Sequence, residues 1–210
     1  MKKIKSLALL TATAFLLTPI FGVSASQAKA TTTVSGDSLT VSKTASNYTT
    51  SRNTSYADIM QNEHFSRNTI GYYINPGLAT GVKKDIRAAA LQWNMNTNVN
   101  LYETTKLNQA SINFTNDGTS NTQNGLTRNT VAKNAGGFTE VVSTKIYLSR
   151  YNFGQNTLTV TGRRIVEHEL GHALGLKDSF ADSTGTIMWY KTPNTDITAK
   201  DIKAINTYYK

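Results

Sequence analysis

The residues that could do chemistry lie in one short stretch, "HELGHALGLKD", residues 168–178. Residues four apart in a helix lie one turn apart on the same face, so His168 and His172 can present ring nitrogens to one metal ion. Glu169 then lies beside the ion. There it can take a proton from a water that zinc has made acidic and pass it to a leaving amine. The spacing therefore predicts a hydrolytic zinc site with Glu169 as its acid–base group.

A third metal ligand is needed, because a hydrolytic zinc usually takes three protein ligands and keeps a fourth position for water. The chain has one further histidine, His64, in the polar segment "NEHFSRN". Asp178 is better placed, since a turn at Gly175 can carry its side chain back over the metal. Asp182 lies farther along a loop and is a weaker alternative. Asp178 is therefore predicted to complete the ligand set.

The alternative interpretation of this stretch is a helix that carries two packed histidines. With three histidines and five glutamates in 210 residues, an H-E-x-x-H pattern would arise by chance in roughly one chain in a thousand. Gly171 lies inside the helix, where glycine costs about 1 kcal/mol relative to alanine. Its position between the histidines predicts close packing against another segment, and the pattern as a whole favours metal binding.

The sequence "HELGHALGL" resembles the zinc-binding helix of the metzincin metallopeptidases, most closely the matrixins, in which the glycine at the place of Gly175 lets the chain turn back toward the metal. "GTIMWY" (185–190) resembles their Met-turn, which would place Met188 beneath the ligands. "DITAKDIKAINTYY" (196–209) is similar to their C-terminal helix. The resemblance covers about residues 65–210. It implies an α+β fold: a mixed twisted sheet of about five strands with an active-site helix, a Met-turn and a C-terminal helix.

The chain also departs from the matrixin pattern. Asp178 stands where matrixins have a third histidine, as in the snapalysin-type small secreted proteases of bacteria. Tyr190, two residues after Met188, matches the tyrosine of astacins and serralysins that can approach the zinc and steady the oxyanion; otherwise it is a half-buried aromatic residue. The matrixin segments that bind structural zinc and calcium are not matched. The resemblance thus implies one catalytic zinc and does not indicate calcium.

One further segment carries a resemblance that concerns the substrate. "AGGFTEVVS" (135–143) resembles the edge strand along which metzincins bind extended peptides. Main-chain hydrogen bonds to Phe138 through Val142 would then align the substrate. The alternative is an ordinary strand of the sheet.

Other elements must position these residues, and the periodicity of apolar residues predicts them. The helices are predicted at residues 80–97, with Thr80 as N-cap, at about Val160–Leu174, and from Thr198, with Asp201 three residues later as in a capping box. Runs of β-branched and aromatic residues predict strands at 69–75, 99–104, 110–116, 138–143 and 144–150. The Asn- and Gly-rich stretch 117–137 is predicted to be a loop.

The N-terminal part of the chain predicts export. Lys2, Lys3 and Lys5 precede an apolar run and small-residue cleavage sites, so residues 1–30 are predicted to be a signal peptide. Residues 31–57 are rich in Ser and Thr and bury too little apolar surface to order themselves; they would form a propeptide or linker. Residues 58–210 would form the catalytic domain. The absence of cysteine means that neither disulfides nor a thiol ligand support the fold or block the metal.

These observations predict a zinc endopeptidase secreted by a bacterium, with a protein or peptide substrate, acting as a monomer. The whole chain carries a formal charge of +9, but four lysines lie in the first 30 residues and the other basic residues are scattered. Nucleic-acid binding is therefore not expected, and neither is membrane binding by the mature form. The alternative function is a secreted surface-binding or adhesive protein that keeps the zinc helix for stability. An intact Glu169 argues against it, because zinc binding alone does not need that carboxylate.

Overall fold

The structure is a computed structural model that describes residues 33–35, 38–40, 55–116, 124–133, 137–149, 159–180, 185–191 and 196–210. The chain divides into two units, Met1–Asn47 and Tyr48–Lys210. In the first unit, strands β1 (Thr33–Ser35) and β2 (Ser38–Thr40) pair antiparallel. The expected signal peptide lies outside the described residues. No helix within the described residues is long and apolar enough to cross a membrane.

The second unit is built on a six-stranded mixed sheet, as the resemblance implied. Its strands are β3 (Glu63–His64), β4 (Thr69–Ile74), β5 (Asn100–Glu103), β6 (Ile112–Asn116), β7 (Gly125–Lys133) and β8 (Thr139–Leu148). Five strands run parallel in the order β3-β8-β6-β4-β5, and β7 pairs antiparallel with β8. Strand β3 has only two residues, Glu63 and His64, and they pair with the first two residues of β8.

Three helices accompany the sheet: α1 (Thr80–Asn96), α2 (Val160–Ala173) and α3 (Ala199–Tyr208). The amphipathic pattern of α1 buries Ile86, Ala89 and Trp93 completely. The Trp93 indole donates a hydrogen bond to the main-chain oxygen of Glu167 (3.1 Å), which joins α1 directly to α2. The N-cap of α1 is Ala79 rather than the predicted Thr80, and it makes no side-chain capping bond.

Two sequence predictions about strands are wrong in ways that matter for the site. The predicted loop 117–137 contains β7, a nine-residue strand, at Gly125–Lys133. The two strands predicted at 138–143 and 144–150 are one continuous strand, β8, because no turn residue separates Ser143 from Thr144. β8 pairs with β7 on one side and with β3 and β6 on the other, so Phe138–Val142 is not a sheet edge. Within the described residues β7 pairs with β8 alone.

The start of α2 is held by a buried acid from α1. Asp85 is fully buried, and its Oδ1 accepts a hydrogen bond from the Thr159 amide (2.8 Å). Thr159 is the N-cap of α2, and its hydroxyl accepts from the Gly162 amide (2.9 Å). Burial raises the pKa of Asp85 to about 6. A Cβ at Gly162 would overlap the Asp85 carboxylate, so the absence of a side chain lets the acid reach the helix terminus.

This contact predicts that Gly162→Ala destabilises the protein, although alanine is the better helix former by about 1 kcal/mol. The added methyl group must displace Asp85 or shift the helix, which we expect to cost about 1–3 kcal/mol in the free energy of unfolding. Urea denaturation measures the change. Thr161→Ala at the exposed neighbouring position is the control, expected within about 0.5 kcal/mol of the parent. A Gly162→Ala chain as stable as the parent would contradict the packing argument.

Candidate metal centre and active site

Three side chains predicted as metal ligands converge at the C-terminal end of α2. His168 and His172 lie on one face of the helix, and Asp178 comes back over them after the turn at Gly175. The Asp178 Oδ1 atom lies 3.2 Å from His168 Nε2 and 3.6 Å from His172 Nε2. One ligand atom from each residue lies within 4.8 Å of the others. This is the arrangement that three donors around a single ion require.

The hydrogen bonds of both imidazoles orient them for metal binding. His168 Nδ1 lies 2.8 Å from the Ile187 carbonyl oxygen, and His172 Nδ1 lies 3.0 Å from the Leu176 carbonyl oxygen. A carbonyl can only accept, so each Nδ1 carries the proton and donates it. Each neutral ring then keeps a lone pair on Nε2, the atom that faces Asp178. The residues present therefore fit a zinc ion: two imidazole nitrogens and one carboxylate oxygen.

The electrostatics of the three groups follow from their proximity. Hydrogen bonds from His168 and His172 hold the pKa of Asp178 well below its usual range, against the effect of burial. Burial opposes protonation of His172, but the hydrogen bond with Asp178 and the charge of Glu169 outweigh it and raise the pKa of that ring. Without an ion the cluster attracts a proton. A cation therefore competes with protons for the same donors.

The turn that returns Asp178 to the histidines depends on Gly175. Its φ angle is +109°, in the region that favours glycine, and a Cβ there would lie 2.6 Å from the Glu63 main-chain oxygen. The following residues are then tied down: the Leu176 amide donates to Gly171 O (2.9 Å) and the Lys177 amide donates to Ile59 O (2.8 Å). The prediction that the helix ends at a left-handed Gly175 is confirmed.

The Met-turn packs beneath α2. Met188 is fully buried, and its sulfur would lie 2.5 Å from a Cβ placed on Gly171. This explains the glycine between the two histidines, because any side chain there would push Met188 away. Close packing at Gly171 was predicted from the helix cost of glycine, and the Met188 contact supplies the partner.

Asp201 joins the Met-turn to α3, and the sequence predicted only half of this role. Its carboxylate accepts a hydrogen bond from the Thr198 amide (2.8 Å), which confirms the predicted capping box. It also accepts from the Ile187 amide (2.9 Å) and from the Thr186 hydroxyl. Ile187 provides the carbonyl oxygen that orients His168. Asp201 therefore supports this candidate ligand indirectly, through its hydrogen bond to Ile187. No spacing rule connects residue 201 with residue 187.

Glu169 lies outside the ligand cluster and faces β7. It is 6 % exposed, and its Oε2 accepts a hydrogen bond from the Thr127 hydroxyl (2.6 Å). Together with the three candidate ligands and Tyr190 it lines a cavity of about 520 Å³. A carboxylate beside a metal cluster in one cavity can move a proton to or from a substrate atom there. Thr127 was missed by sequence reasoning because it falls in the stretch predicted as a loop.

Tyr190 lines the cavity, whereas His64 does not. Tyr190 is 45 % exposed at the rim of the cavity, with its ring 4.9 Å from that of Phe180. The amide of Tyr190 donates to the Ser179 main-chain oxygen (3.2 Å), so the segment after the Met-turn is joined to the segment after Asp178. His64 lies outside the ligand cluster, with its ring stacked on Phe138 at 4.2 Å. Asp182 lies outside the described residues.

Comparison with known proteins gives one family. A family model described as Matrixin (Peptidase M10) matches residues 64–210. No curated protein matches the chain. Among solved structures, the chain is similar to high choriolytic enzyme 1, a hatching-enzyme zinc protease from the medaka fish Oryzias latipes. The two are 16 % identical with a TM-score of 0.41, over 68 % of this chain and 90 % of that chain.

The geometry predicts that Asp178→Ala weakens zinc binding by about a hundredfold or more, because it removes one of three donors. His64→Ala should leave zinc affinity within a few-fold of the parent, since its ring packs against Phe138 away from the cluster. Competition titration with a chromophoric chelator measures both. Tight zinc binding by Asp178→Ala, or loss of it in His64→Ala, would show that the ligand has been misassigned.

Proposed function

Because this chain belongs to the matrixin family of zinc metallopeptidases, we propose that it is a secreted zinc-dependent endopeptidase that uses Glu169 as its general base. One observation carries the proposal. The three-donor cluster of His168, His172 and Asp178 and the buried carboxylate of Glu169 line the same cavity. Secretion is supported by the signal-like N-terminal sequence, and a lysine-flanked apolar leader of that kind is typical of exported bacterial proteins.

His168, His172 and Asp178 are the residues that would hold the zinc ion. When bound, zinc would make a water molecule acidic and polarise the carbonyl of the scissile peptide. The hydrogen bonds from Nδ1 of both histidines fix the direction of the Nε2 lone pairs before any ion arrives. A carboxylate as the third ligand adds a negative charge that a third histidine would not. The acidifying effect is then weaker, and more depends on the base.

Glu169 supplies that base. Its side chain accepts the proton of the attacking water and then gives it to the nitrogen of the leaving amine, so one carboxylate serves both steps. Its position next to His168 in α2 places it beside the cluster without making it a ligand. The low exposure of the carboxylate keeps competing water away from it.

Tyr190 is the candidate for stabilising the oxyanion. It lies at the rim of the cavity, and its ring contact with Phe180 leaves the residue 45 % exposed. A phenol hydroxyl that reaches the carbonyl oxygen as charge develops there would lower the barrier.

The substrate of this proposal is an extended peptide. The sheet edge nearest the cavity is β7. Its residues Gly125–Thr127 line the cavity, and it pairs only with β8 among the described strands. An extended chain can add to such an edge by main-chain hydrogen bonds. β7 therefore replaces the segment Phe138–Val142 as the expected place of substrate alignment.

The general-base role predicts that Glu169→Ala keeps zinc and fold but loses about two to four orders of magnitude in kcat, because only proton transfer is removed. Casein hydrolysis with zinc analysis of the purified mature chain measures this, and a chelator should abolish the activity of the parent. Glu103→Ala, a glutamate that pairs with Arg87 away from the cavity, is the matched control. A parent that binds zinc and hydrolyses no peptide would favour a surface-binding protein with a structural zinc site.

The oxyanion role predicts that Tyr190→Phe lowers kcat by about ten- to a thousandfold with little change in KM. Tyr102→Phe is the control, since Tyr102 has the same 45 % exposure on a strand outside the cavity. Steady-state kinetics on one peptide substrate compare the two. An unchanged kcat in Tyr190→Phe would return that ring to a packing role.

A further inference from the structure

β7 contacts α2 through side chains at alternate positions. Successive residues of a strand point to opposite faces, so Gly125, Thr127 and Asn129 lie on the face toward the helix. The Asn129 amide donates to the His172 main-chain oxygen (3.2 Å), and its own oxygen accepts from the Thr144 hydroxyl of β8 (2.8 Å). One strand face therefore meets the helix at Glu169 and His172, through three consecutive inward positions.

The contacts with Glu169 are the closest of these. The Thr127 hydroxyl lies 2.6 Å from Glu169 Oε2 and 3.0 Å from the Glu169 main-chain oxygen. An ionised carboxylate oxygen can only accept, so the hydroxyl proton points to Glu169. The shorter distance favours the carboxylate, because hydrogen bonds to a charged acceptor are shorter and stronger than those to a neutral one. Thr127 thus holds one oxygen of Glu169 and leaves the other to handle a proton.

Gly125 makes room for the same carboxylate. A Cβ at Gly125 would lie 2.6 Å from Glu169 Oε1 and 2.7 Å from Cδ, far inside van der Waals contact. The carboxylate therefore lies directly over a main chain without a side chain. Threonine two residues later supplies the hydrogen bond. The strand offers Glu169 both the space and the donor that fix the plane of its carboxylate.

The position of the Thr127 hydroxyl is itself fixed. Thr127 is in register with Ile146 of β8, a fully buried residue, and β8 is an inner strand of the sheet. The ladder on one side and the helix on the other leave the threonine little freedom to follow a moving carboxylate. A general base that is held in one orientation avoids reorganisation at the moment of proton transfer.

We propose that Thr127 is a positioning residue for the general base: its hydroxyl, presented by the ladder of β7 and β8, orients the Glu169 carboxylate. The inference rests on the proposed function, since it assigns Thr127 a role in the reaction of that site. Thr127 acts through its hydrogen bond to the Glu169 side chain and needs no contact with the substrate.

Three variants of the mature, zinc-loaded chain test the role. Thr127→Val removes the hydroxyl at nearly constant shape and should lower kcat by about ten- to a hundredfold, with KM within about twofold. Thr127→Ser restores the hydroxyl and should recover kcat to within a few-fold. Thr130→Val makes the same chemical change at an exposed position of the same strand and should leave kcat within twofold. Zinc affinity should be equal in all of them.

A second measurement does not depend on activity. Thermal unfolding of Thr127→Val, Glu169→Ala and the double variant forms a cycle, and the combined loss of Tm should be smaller than the sum of the two single losses, because either change removes the one interaction that the two residues share. Additive Tm losses, an unchanged kcat in Thr127→Val, a KM that rises with the fall in kcat, or failure of serine to rescue would each overturn the inference while the parent still hydrolyses peptides. A parent that lacks zinc-dependent hydrolysis would instead overturn the proposed function.

Discussion

The site depends on two hydrogen bonds that fix the histidine rings. Ile187 and Leu176 lie outside the active-site helix, and their carbonyl oxygens hold Nδ1 of His168 and His172. These bonds select the tautomer with an unprotonated Nε2, which is the only neutral form that can bind a metal on the side of Asp178. The segments packed around α2 hold the main-chain oxygens of Ile187 and Leu176 in place, and these oxygens orient the two rings.

Each of those oxygens has its own support. Ile187 belongs to the Met-turn, which Asp201 holds through hydrogen bonds to the Ile187 amide and the Thr186 hydroxyl. Leu176 follows Gly175 and receives a hydrogen bond from the Gln61 side chain in addition to its bridge with Met60. A chain without cysteine has no disulfide to secure such segments. Hydrogen bonds from buried side chains and close packing at glycine perform that task here.

The sequence predicted those parts of the site whose geometry is local. His168, Glu169 and His172 lie within five consecutive residues of one helix, and Asp178 follows a turn at a glycine. Their spacing in the sequence therefore predicts that they lie close together. The ends of α2 and the capping box of α3 were predicted for the same reason, because both depend on residues three or four apart.

The parts that failed depend on distant neighbours. β7 carries Thr127, Thr130 and Val131, β-branched residues typical of strands, but Asn and Gly nearby favoured a loop. Its strand conformation is stabilised by pairing with β8 and by contact with α2, which no local pattern reports. The contact between Asp201 and the Met-turn is of the same kind. Tertiary partners decided these elements.

Asp201, Tyr208 and Tyr209 have a consequence for when the site can form during synthesis. The Tyr209 hydroxyl donates to the Leu174 carbonyl at the end of α2 (3.1 Å), and the Tyr208 hydroxyl donates to the Gln61 carbonyl. Asp201, which holds the Met-turn, lies in α3. Because a ribosome builds the chain from its N-terminus, these contacts form only after residues 201–209 have been made, later than α2 and its histidines. A nascent chain that has grown only to Asp178 therefore contains all three candidate ligands but lacks the contacts that hold their supports in place.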